Sequence, residues 1–180
     1  MSYNYPERLV LITSTTASSS ASISFTTGIS SNFSTYMAKI RNFTPATNAS
    51  TLRLTFSTDG GGSYLNTNYK RCDNYCTSGA ASAAEGSDSD SSLTLVGNLS
   101  NTKVMNMDLI LYNLNSNTFS PLCMDILFSI SGTGESVLQW GGGLNTTTTA
   151  INAIKFAMSA GNITSGTISL YGVQDGGFLY

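Results

Sequence analysis

A cysteine acts as a nucleophile through its thiolate, which needs a neighbouring base or cation to form near neutral pH. Cys72, Cys76 and Cys123 are the thiols of this 180-residue chain, and no histidine is available to activate any of them. The other nucleophilic arrangement is a serine beside Lys39, Lys70, Lys103 or Lys155, and no spacing singles out a pair. Cys72 and Cys76 would supply half of a zinc site, with no second pair and no imidazole to complete it. Asp108 and Asp125 lie in β-prone segments, where a carboxylate pair could flank a glycosidic bond, but each stands singly and reads as a solvent-face residue. Glu85-Gly86-Ser87-Asp88-Ser89-Asp90 gathers three carboxylates that would suit calcium, yet it lacks the bidentate Glu of an EF-hand and reads as a solvated loop. Asp59-Gly60-Gly61-Gly62 and Gly141-Gly142-Gly143 have no Gly-Lys-Ser/Thr ending, so both read as turns and not as phosphate cradles. The expectation is a non-enzymatic chain with no catalytic residue, metal or cofactor.

Binding is the remaining chemistry, and aromatic side chains carry it best because they offer large rigid contact area with a polar handle. Phe25, Tyr36, Phe56, Phe128 and Phe156 fall at strand-interior positions, whereas Tyr3, Tyr5, Tyr64, Tyr69, Tyr75 and Tyr180 fall in loops or at ends. Trp140, beside the triple glycine, is the leading candidate for a surface contact, with Tyr75 and Tyr69 next; a place in the core is the alternative for Trp140.

Composition narrows the partners. Only 10% of residues are charged, against about 25% in ordinary soluble domains, and the net charge is -2. That balance cannot supply the basic footprint that nucleic acid requires. No run approaches the roughly 20 apolar residues of a membrane span. The opening residues have no basic stretch followed by an apolar core of signal-peptide length, so synthesis in a cytoplasm is expected. Serine, threonine and asparagine replace charge, interleaved with apolar residues at period two, which favours folded β structure over disorder.

The elements follow from that alternation. Ser14 to Ser20 is a hydroxyl tract, a loop or exposed edge, and Ala21 to Thr27 sends Ile23 and Phe25 to one face. Tyr36, Ala38 and Ile40 face inward against outward Lys39 and Arg41, and Leu52, Leu54 and Phe56 repeat the pattern. The Asp59-Gly60 turn then predicts a hairpin returning through Tyr64 to Lys70. Arg71 to Ser92 loses periodicity and reads as one long mobile loop. Leu122, Met124, Ile126, Phe128 and Ile130 alternate strictly, and Ala150 to Met158 fits strand better than helix. About ten short strands in one domain over residues 1–180 predict an antiparallel β-sandwich of jelly-roll type.

Two stretches resemble small all-β virion structural proteins of tailed bacteriophages. One runs from Tyr36 to Ser63, with Thr44-Pro45-Ala46-Thr47 followed by Leu52-Arg53-Leu54-Thr55-Phe56-Ser57-Thr58-Asp59-Gly60-Gly61. The other is Ala150-Ile151-Asn152-Ala153-Ile154-Lys155-Phe156 leading through Ser159-Ala160-Gly161-Asn162 to Ile168-Ser169-Leu170-Tyr171-Gly172-Val173. The resemblance implies a jelly-roll or related sandwich subunit that decorates the capsid as a cement protein, or builds a fibre or spike, commonly as a homotrimer. It further implies the major capsid protein or other virion proteins as partners at the virion surface, and host surface glycans if the chain is a tail fibre or receptor-binding module.

Overall fold

The protein is described by a computed structural model covering residues 8–118, 120–130 and 132–174. Tyr3, Tyr5 and Tyr180, and the side chains of Asp125, Ile126, Phe128 and Ile130, lie outside the described residues. Among the described residues twelve strands follow one another: β1 (Arg8–Ser20), β2 (Ser22–Phe25), β3 (Thr35–Pro45), β4 (Ser50–Ser57), β5 (Tyr69–Thr77), β6 (Ala80–Asp90), β7 (Leu93–Leu99), β8 (Met105–Tyr112), β9 (Leu122–Ile130), β10 (Ser136–Asn145), β11 (Ala153–Met158) and β12 (Ile163–Gln174). All their pairings are antiparallel. Eight form one sheet in the order β1-β12-β3-β8-β9-β10-β5-β6, and four form a second in the order β2-β11-β4-β7. The chain is therefore the antiparallel sandwich that its alternation predicts.

Period-two patterning builds the core. Tyr36, Ala38 and Ile40 of β3 and Leu52, Leu54 and Phe56 of β4 are fully buried from opposite sheets. Ile154 and Phe156 of β11 are buried too, so alternation overrides the helical spacing of the same segment. Phe156 pairs across the ladder with Ile23 of β2 and meets the Phe25 ring edge-to-face at 6.3 Å. The hydroxyl tract Ser14 to Ser20 continues β1 along the sheet edge, where Ser14 bonds Ser169 at 2.8 Å and Thr16 bonds Thr167 at 3.1 Å. Ser19 then takes a positive φ of 51°, and the chain turns the corner into β2 of the other sheet.

Three expectations are corrected. The Asp59 turn forms, with its carboxylate accepting from Ser63 N at 2.9 Å, but no return strand pairs with β4, because β11 and β7 already occupy both its edges. The chain instead crosses to the larger sheet as β5. Residues 71–92, expected as a loop, form the β5–β6 hairpin, whose pairing is fixed by backbone hydrogen bonds and cross-strand ion pairs where apolar periodicity is missing. Gly141 to Gly143 lie inside β10 between β9 and β5, not in a turn. A Cβ at Gly141 would sit 2.4 Å from Asp73 Cβ, and one at Gly143 2.3 Å from Leu93 Cδ1, so these glycines serve close approach of neighbouring backbone and side chains.

Candidate functional site

Strand β10 has two working faces. Val137 and Gln139 point into the sandwich, while Leu138 and Trp140 point out and are 41% and 43% exposed. On neighbouring β9, Cys123 is buried and Met124 is 50% exposed, so the clearest apolar alternation in the sequence begins with its apolar side outward. Met124 and Cys72 both pair with Gly142, and Leu122 and Lys70 both pair with Leu144. The absent side chain of Gly142 leaves an open apolar hollow of about 700 Å³ between Trp140, Met124, Leu122 and Leu144. Lys70 and Asp88 close one rim with a 3.1 Å ion pair.

The opposite face of the same strands is polar. β5 presents Arg71, Asp73, Tyr75 and Thr77 at period two beside Gln139, over a cleft of about 380 Å³ whose far wall comes from Thr51, Arg53, Thr94 and Asn98 of the smaller sheet. Arg71 Nη1 donates to both oxygens of Asp73 at 3.0 and 2.9 Å, and Nη2 donates to Glu85 Oε2 at 3.3 Å. Gln139 Nε2 donates to Asp73 Oδ2 at 3.1 Å and to the Leu95 carbonyl at 2.9 Å. Burial raises the Asp73 carboxyl above the usual aspartate range, although Arg71 partly offsets it. Burial also opposes the Arg71 charge, but Asp73 and Glu85 outweigh it and hold the guanidinium above its ordinary value.

The three aromatic candidates part company. Trp140 is exposed on the outer face. Tyr75 is half-buried and opposite Gln139, in the inner cleft, so the two cannot form one platform. Tyr69, expected at the surface, is fully buried: its hydroxyl accepts from Phe56 N at 2.8 Å and donates to the Leu65 carbonyl at 3.2 Å, and burial pushes its pKa up to about 12. That is a core residue joining β4 to β5, not a contact residue.

The carboxylates of residues 85–90 are engaged by cations, Glu85 and Asp90 by Arg71 and Asp88 by Lys70. Asp108 bridges Lys39 at 3.1 Å and Arg41 across β3 and β8; burial works against its charge, but these two donors hold its pKa below the aspartate range. Cys72 and Cys76 are free thiols on one strand, and four residues at strand rise separate them by about 13 Å, too far for a disulfide. The sequence reading missed the Arg71–Asp73–Glu85–Gln139 cluster. Its signal is the Arg-x-Asp-x-Tyr alternation from 71 to 75, which a loop assignment of that segment hides. No family model, curated protein or solved structure matches the chain.

Proposed function

We propose that the chain is a non-enzymatic structural subunit of a bacteriophage virion, a capsid decoration or cement protein that self-associates, as a trimer, and binds the major capsid shell. The observation that carries this reading is the exposed apolar strip of Leu138, Trp140 and Met124 on the outer face of a sparsely charged, hydroxyl-rich sandwich. Contiguous apolar surface on a well-packed domain marks a contact with another macromolecule. The edge of β1, unpaired among the described residues, adds a row of backbone donors and acceptors to which a neighbouring subunit can pair. A surface with few titratable groups also keeps its contacts when pH and salt change, as a particle outside a cell requires. The resemblance of residues 36–63 and 150–173 to virion proteins supports the same reading.

The test is attachment. Particles assembled with the wild-type chain carry it in their protein inventory and as density on the shell; Trp140→Ser combined with Met124→Ser leaves the fold intact and removes that density. A virion inventory without the wild-type chain contradicts the reading.

A further inference from the structure

We propose that the cleft between the β5–β6–β10 overhang and the edge of the smaller sheet is a binding site for a neutral saccharide. It goes beyond the assembly role and does not depend on it. The cleft lies on the opposite face from Trp140, and its volume of about 380 Å³ is within the range of small-molecule sites, about 300–1,000 Å³. Its charges balance: Arg53 and Arg71 face Asp73 and Glu85. A ligand of either sign would meet as much repulsion as attraction there, and an apolar ligand would strand the lining groups without partners.

A sugar hydroxyl donates and accepts at once, so it is matched by donors and acceptors fixed side by side. The cleft holds both in set positions. Gln139 spends both amide hydrogens on Asp73 and Leu95 O, which locks the amide and leaves Oε1 as its open acceptor. Arg71 is clamped by Asp73 and Glu85, so neither carboxylate swings when a ligand arrives. The remaining guanidinium nitrogen, Nε, faces Asp90 Oδ2 at 3.7 Å, so carboxylates hold Arg71 on all sides. Arg53, on the far wall, has no ion-pair partner among the described residues and supplies a further donor. Tyr75 adds a half-buried ring against which the C–H face of a pyranose can lie.

The experiment titrates the full-length chain with methyl glycosides of glucose, galactose, mannose and N-acetylglucosamine, following backbone amide shifts. At least one glycoside gives saturable shifts confined to Tyr75, Thr94, Asn98 and Gln139, with a dissociation constant on the order of 1 mM. Arg53→Ala and Tyr75→Ala, both at positions outside the fully buried core, keep the native amide spectrum and weaken that binding at least about tenfold. Absence of saturable shifts with all four glycosides overturns the proposal, as does binding that both variants retain or shifts that map to the outer face around Trp140. Particle attachment is scored on the same variants. Loss of saccharide binding with attachment intact separates this site from the shell contact, and failure of attachment leaves the titration unaffected.

Discussion

The two edges of the eight-stranded sheet that no described strand covers are opposites. β1 carries a single charge, Arg8, in 13 residues and otherwise shows hydroxyls and aliphatics, with Leu11 56% exposed. β6, at the other end, carries Glu85, Asp88 and Asp90, each engaged by Arg71 or Lys70 of β5. Charges on an edge repel an incoming strand, whereas a long uncharged edge invites one. On the proposed assembly role, β1 offers an open row of backbone groups and β6 a charged one, so a trimer, which needs two different surfaces in each contact, would set β1 against a neighbour's surface other than β6.

The largest way to break that contrast is at the pin of the blocked edge. Arg71→Ala strands the 5%-exposed Asp73 without its cation and unties Glu85 from β5, so unfolding stability measured in urea falls by about 3 kcal/mol, with the β6 amides exchanging fastest. Next comes the seam that joins the β5–β6 hairpin to the rest of the sheet. Gly141→Ala pushes a Cβ into Asp73 Cβ and toward the Cys72 carbonyl, and overpacking of this kind costs about 1–3 kcal/mol by the same measurement.

Acid separates the sheet's middle from its blocked end. Asp108 has a lowered folded pKa, so its contribution is present above about pH 4 and lost as pH falls through the folded value. Asp73 has a raised one, so its contribution is present below about pH 4 and lost as pH rises through the folded value. Asp108→Asn therefore flattens the decline in urea midpoint on acidification from about pH 6 to about pH 3, and an unchanged slope removes the ion-pair account of β3 and β8. The smallest effect belongs to Asp88→Asn. Its ion pair with Lys70 is at the surface, so stability moves by less than about 0.5 kcal/mol while the edge loses part of its charge.

The sequence revealed the middle of the sandwich better than its blocked end, and the reason is physical. Tyr36, Ala38, Ile40, Leu52, Leu54 and Phe56 alternate because one face of each strand meets the core, and that periodicity can be read directly. The β5–β6 hairpin overhangs the four-stranded sheet, and its inner face meets a polar cleft. Apolar alternation is absent there, and the ordering comes from Arg71, Asp73 and Glu85 across strands that local patterning cannot pair in advance. Gly141 to Gly143 misled for a related cause: glycine usually marks a turn, but here it admits Asp73 and Leu93 against the strand. Tyr69 misled because its strand belongs to a different sheet from β4, so a buried bridge looked like a hairpin tail.

Native mass spectrometry of the full-length chain and of Leu11→Lys tests the central claim most directly. The wild type gives a discrete oligomer, a trimer, and Leu11→Lys, which places a charge on the open edge at an exposed position, gives mainly monomer with the same unfolding midpoint. A wild-type chain that is strictly monomeric, or a Leu11→Lys chain that assembles as the wild type does, contradicts the assignment of β1 as the adhesive edge.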